Sequence, residues 1–163
     1  MIVALMIGRE GSVGFPDKNI YPVLGRPLMT YPLLAAKASR LVEKIYVSTD
    51  SEKIKNIALL HGAHVIDRPH ELATKKALGE DAYVHGFKHI RDTLGQSIEL
   101  IVLLFCNAAT LLDKTIDDGI QVLKDDPSLD SAVTVSPYNM WSPIRARKLG
   151  SDGLLQSFIP LES

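Results

Sequence analysis

Short apolar or β-branched runs recur along the chain at 2–7 (IVALMI), 44–48 (KIYVS), 63–66 (AHVI), 99–105 (ELIVLLF) and 131–136 (SAVTVS). Between them, at 27–41, 51–61, 79–93 and 113–124, apolar residues return at helical spacing. Strands that are apolar on both faces, alternating with helices, predict an α/β fold around a mainly parallel sheet buried on both sides. Each helix has a candidate opening. Pro27 suits a first turn, although Pro32 argues for a kink or a later start. Ser51 or Asp50 can cap 51–61, which stops at Gly62, and Asp113 can cap 113–124, which Pro127 closes. From about Pro137 the pattern changes: aromatics and prolines precede two short strand-like runs separated by GSDG, which predicts an appended β-hairpin over about 137–160.

At 163 residues and 46% apolar composition, the chain is long enough for one substantial core, and a single domain over 1–163 is expected. Eighteen basic residues against nineteen acidic leave a net charge of −1 with no long block of one sign, which argues against nucleic-acid or membrane-surface binding by bulk charge. The one cysteine, Cys106, follows an apolar run and reads as a buried thiol. No signal-peptide core or membrane-length apolar run is evident, so the sequence reads as soluble and cytoplasmic.

The stretch GREGSVGFPDKN, 8–19, follows directly on the first apolar run and holds three glycines and two cations without helical or strand periodicity. Glycines let backbone N–H groups approach an anion, and Arg9 and Lys18 flank the loop, so phosphate is the natural ligand. The spacing fits neither the dinucleotide nor the P-loop fingerprint, and a plain turn is the other reading.

Read with GRPL at 25–28, VSTD at 47–50, GAHV at 62–65 and RPHELA at 68–73, the loop resembles the acylneuraminate cytidylyltransferase family, the CMP-sialic acid synthetases and their relatives. Five motifs in family order over about 70 residues are far more specific than the loop alone. The resemblance implies a nucleotide-diphospho-sugar transferase fold, a Rossmann-like three-layer sandwich with a mainly parallel mixed sheet. It implies transfer of CMP from CTP to the anomeric hydroxyl of an acidic, sialic acid-like sugar, with release of pyrophosphate. Mg²⁺ would be held mainly by phosphate oxygens and water.

By the same resemblance Arg9 and Lys18 are the catalytic cations, and Gly11, Ser12 and Gly14 shape the phosphate cradle. Asn19 and Arg68 contact the nucleotide, and Asn107 can add a polar contact. Tyr138, Trp141, Arg145 and Arg147 fall where family members form a homodimer, which places the two arginines near a sugar carboxylate. Departures are also plain. Val13 stands where the family has lysine, LLFCNAATLLD at 103–113 replaces a proline- and arginine-bearing segment, and Thr74, Lys75 and Lys76 follow the RPHELA motif in place of an acidic residue. Family catalytic domains are generally longer, with metal-binding aspartates in a later segment, so the chain reads as a fragment or a shortened relative. Two rival readings stand beside this one: a nucleotide-binding or assembly module of the same fold that has lost turnover, and a nucleotidyltransferase with another base or sugar.

Several residues carry ordinary structural readings. Asp50 ends a predicted strand and is assigned to helix capping, with a site role left open. His85 and His89 are four apart, but without a third ligand they read as a solvated helix face, and His61, His64 and His70 as surface residues. Tyr138 and Trp141 read as packing residues, RAR at 145–147 as a charged strand edge, and the carboxylates of DKTIDDG as capping and helix-face charges.

Overall fold

The computed structural model describes residues 1–11, 14–135 and 147–157. The chain separates into two compact units, Met1–Ala132 and Val133–Ser163. In the first, strands β1 (Ile2–Ile7), β4 (Lys44–Thr49), β5 (His64–Asp67) and β6 (Leu100–Phe105) form one sheet in the order β5-β4-β1-β6. Every pairing in it is parallel. Among the described residues antiparallel pairing lies in two small separate ribbons, and the mainly parallel α/β fold expected from the sequence is found. One is β2 (Pro22–Val23) with β3 (Arg26–Pro27).

Helices α1 (Thr30–Ala38), α2 (Glu52–Leu60), α3 (Gly79–Leu94) and α4 (Asp113–Asp125) connect and follow the strands. Alternation along β1 divides the core. Ile2, Ala4 and Met6 pack with Met29 and Leu33 of the α1 region, Ile54 and Ala58 of α2, and Ile116 and Ile120 of α4. Val3 and Leu5 point the other way, into a second cluster with Tyr46, Ile66 and Ile90 of α3. Both faces of β1 are thus covered, which is why its sequence is an unbroken apolar run.

The helix boundaries test the expected caps. Pro27 lies in β3 opposite Pro22, so α1 starts later, at Thr30, and Pro32 sits in its first turn, where the missing N–H is not needed. The α2 helix ends as expected at Gly62: at φ 79° it sends its N–H to Leu59 while the Ala63 N–H reaches Ala58, a Schellman stop. The acidic caps do not form. Ser51 occupies the N-cap of α2 and Leu112 that of α4, neither with a side-chain cap hydrogen bond, and Asp113 is already inside its helix.

The strand expected at 131–136 is absent over its described part. Residues 131–135 are exposed, Val133 by 78% and Val135 by 91%, and no neighbouring strand pairs with them among the described residues. Alternation alone does not make a strand without a partner ladder and a buried face. In the second unit, β7 (Arg147–Leu149) and β8 (Leu155–Ser157) pair antiparallel around the GSDG turn, as the hairpin reading requires. Tyr138, Trp141 and Arg145 lie outside the described residues, as does the side chain of Arg147.

Candidate active site

Strand order reverses at β1. The chain steps outward from β1 to β4 and β5, then returns to lay β6 on the other flank of β1. At such a reversal the connections leaving the carboxyl ends of the two strands run apart, opening a crevice. A cavity of about 450 Å³ lies there, within the size range of small-molecule sites. Gly8 and Arg9 enter it from the end of β1, Cys106 and Asn107 from the end of β6, and Arg68 from the end of β5. Gly14, Lys18 and Asn19 line it from the glycine loop, and Leu78, Gly79 and Ala82 from the start of α3. Cations therefore stand on one side and the amino end of a 16-residue helix on another, both favourable to a bound anion.

Local packing explains the first glycine. A Cβ at Gly8 would lie 2.5 Å from the Cys106 Sγ and 3.3 Å from Ile54 Cδ1, so only glycine lets β1 and β6 approach here. Cys106 is buried, and desolvation pushes its thiol up to about 12 against the opposing pull of Arg68. It is an inert floor, as the sequence indicates.

Arg68 is 7% exposed. Its Nε donates to Ser48 Oγ at 3.2 Å and an Nη donates to the Ser48 carbonyl. Burial lowers its pKa, and the nearby Asp50 charge works in the opposite direction. Ser48 thus fixes one side of the guanidinium fork and leaves the other N–H donors for the cavity. Arg9 donates from Nη1 to the Gly11 carbonyl at 3.1 Å, closing the first turn of the loop. Among the described residues, Arg9, Lys18 and Arg68 form no ion pair with a carboxylate.

Six of the residues singled out by sequence thus converge on one cavity: Arg9, Gly14, Lys18, Asn19, Arg68 and Asn107. Gly11 does not line it; exposed at φ 63°, it makes the left-handed turn instead. Ser12 and Val13 lie outside the described residues.

The family model described as cytidylyltransferase matches residues 3–148. The chain belongs to the cytidylyltransferase family. Over 157 residues, 96% of the chain, this family member is 27% identical to the pseudaminic acid cytidylyltransferase and UDP-2,4-diacetamido-2,4,6-trideoxy-beta-L-altropyranose hydrolase of Helicobacter pylori, of which the match spans 29%. It is 38% identical over 91 residues, 56% of the chain, to the N-acylneuraminate cytidylyltransferase of Escherichia coli O18:K1:H7, spanning 22% of that protein. Over 138 residues, 85% of the chain, it is 30% identical to the 3-deoxy-manno-octulosonate cytidylyltransferase of Bdellovibrio bacteriovorus, spanning 52% of it. The chain therefore spans about half, or less, of these relatives. The solved structure of CMP:2-keto-3-deoxy-manno-octonic acid synthetase complexed with CTP superposes with a TM-score of 0.65 at 19% identity, over 78% of this chain and 49% of the other, and shows the shared fold.

Among the described residues, the cavity lining of this cytidylyltransferase chain contains no carboxylate. Among the described residues, no three His, Cys, Asp or Glu side chains are grouped to hold a metal ion. These residues do not build a magnesium site of their own.

Several assignments need correction. Asp50 does not cap α2: its Oδ1 accepts the Glu10 N–H at 2.9 Å, across 40 positions of sequence. His85 is not on a solvated face, because its Nδ1 is buried without a hydrogen-bond partner, whereas His89 is exposed. Within DKTIDDG, Asp118 is a helix-face charge paired with Lys114, but Asp117 is buried and receives Ser39 Oγ–H at 2.5 Å and the Arg40 N–H at 3.2 Å. No local pattern marks the partners of Asp50 and Asp117; each is set by how two distant segments meet.

Proposed function

We propose that the protein carrying this chain transfers CMP from CTP to the anomeric hydroxyl of an acidic sugar. The observation that supports this most is the convergence of Arg9, Lys18 and Arg68, unpaired with carboxylates among the described residues, on a cavity at the strand-order reversal. The family membership and the printed activities of the relatives support CTP as donor. Their names span N-acylneuraminate, pseudaminic acid and 3-deoxy-manno-octulosonate, so the acceptor is proposed as an acidic sugar of this group, a sialic acid-like one included.

In the proposed reaction the sugar hydroxyl oxygen bonds to the α-phosphorus as the bond from that phosphorus to the bridging oxygen breaks, and pyrophosphate departs in line. The hydroxyl proton passes to solvent. Negative charge gathers on the non-bridging and leaving oxygens, where cations and N–H groups already in place stabilise it without reorganisation. Arg9 and Lys18 supply that charge from the loop, Arg68 from the end of β5, and Asn19 and Asn107 supply neutral polar contacts. Mg²⁺ would be held mainly by phosphate oxygens and water rather than by these residues, and would help neutralise the triphosphate charge. Homodimerisation, with Arg145 and Arg147 near the sugar carboxylate, belongs to the same proposal.

Calorimetric titration with CTP, ATP, GTP and UTP tests the donor site. CTP-selective binding supports it, and no binding by any nucleotide overturns it. Pyrophosphate release with CTP and each of the three acidic sugars then tests the acceptor.

A further inference from the structure

Resting on the nucleotide reading of the cavity, we propose that Asp50 is a positioning residue that holds the Arg9 end of the glycine loop in place for an anion. Asp50 stands one residue beyond the end of β4, immediately before Ser51, the α2 N-cap. Its Oδ1 accepts the N–H of Glu10, the residue next to Arg9.

A second tie comes from the same corner. Lys53, in the first turn of α2, pairs with Asp17 at 3.0 Å, immediately before Lys18. Asp17 has φ 53°, a left-handed conformation that Asp tolerates better than most residues, and the ion pair holds its side chain there. The loop is thus pinned beside each of its two cations by residues that do not line the cavity. The Glu10 tie is the stronger one, because it joins an ionised acceptor to a fixed backbone donor, whereas the Lys53 pair joins two exposed side chains.

The test separates the hydrogen bond from the charge. Asp50→Asn keeps an acceptor oxygen at the same reach without charge, Asp50→Glu keeps the charge and displaces the acceptor, and Asp50→Ala removes both. CTP affinity and the exchange rate of the Glu10 amide are measured in each. Asp50→Ala and Asp50→Glu are expected to weaken CTP binding about tenfold and to speed Glu10 exchange by a similar factor, with Asp50→Asn falling between, at about threefold in both, because it keeps the acceptor and loses the charge assistance. Should Asp50→Ala fail to fold, the Asn and Glu variants carry the comparison.

Asp50→Asn as weak as Asp50→Ala, or binding unchanged in Asp50→Glu, would overturn the positioning role, as would unaltered Glu10 exchange. If the unaltered protein binds no CTP, the nucleotide reading fails and this proposal with it. CTP binding that survives every substitution sinks the positioning role alone.

Discussion

At the seam between α1 and α4, Asp117 receives the Ser39 hydroxyl, the Arg40 N–H and the Arg40 Nε, while Ser39 Oγ accepts the N–H groups of Leu41 and Val42. Around the cavity, Arg9, Lys18 and Arg68 meet no carboxylate among the described residues, and Arg68 spends only part of its donor set on Ser48. A buried charge is tolerable when it is paired, so the first cluster is a device for stability. Concentrating positive charge without a paired anion costs stability and is useful when a ligand brings the anion. Which residues belong to the site is thus decided less by residue type than by what has been left unpaired.

Removing the cations is the largest test of that contrast. Arg9→Ala combined with Lys18→Ala should weaken CTP binding by about a hundredfold, each lost charge-assisted contact contributing about 1.5–3 kcal/mol at most, while the melting temperature barely moves. Calorimetry and thermal unfolding on the same sample check both halves. A large fall in melting temperature would mean that these residues hold the fold together as Asp117 does.

Next in size is steric. Gly8→Ala would drive a methyl group into Cys106 Sγ and should cost about 1–3 kcal/mol in urea unfolding. Cys106→Ala in the same chain should restore most of that loss; a failure to do so would place the obstacle at Ile54 instead.

Asp117→Ala should cost about 1–2 kcal/mol in urea unfolding and leave the CTP affinity of the folded protein unchanged, the inverse of the cation result. The contribution also has a defined pH range. The Ser39 hydroxyl foremost, with Arg40, holds the Asp117 carboxyl below its usual value against the opposing effect of burial. Its folded-state pKa is therefore below the unfolded one, near 3.9, and the stabilisation is complete above about pH 5 and lost as pH falls through the folded-state value. The stability gap between the unaltered protein and Asp117→Asn should accordingly narrow below about pH 4, and a constant gap would show that ionisation is not its source.

The smallest effect belongs to Lys53→Ala. It removes an exposed pair of about 0–1 kcal/mol, so CTP affinity should fall by no more than a few-fold, and the difference should vanish in high salt.

These contrasts also show what was legible in the chain. The four strands of the sheet and the four helices were readable because each is defined by its own periodicity, with Gly62 and Pro127 as local stops. That Arg9, Lys18, Asn19 and Arg68 line one cavity follows residues that the motif order had already singled out. Asp50 was misread because its partner, the Glu10 N–H, lies on another segment while a plausible local role lay next to it. Asp117 looked like its neighbour Asp118, and only the approach of α1 separates them. The apolar alternation at 131–135 was read as a strand because alternation reports a possible pleat and says nothing of whether a neighbour supplies the ladder.

The central place of β1 has a consequence for synthesis. Of its two neighbours one, β4, follows within some forty residues, while Ile2 must wait for Leu100 to complete the other ladder. Until translation passes β6, one edge of this wholly apolar strand stays open, a template for pairing with other chains. Pausing before that point prolongs the exposure, so the speed of the ribosome across residues 50–100 bears on the yield of native protein as directly as any contact in the finished fold.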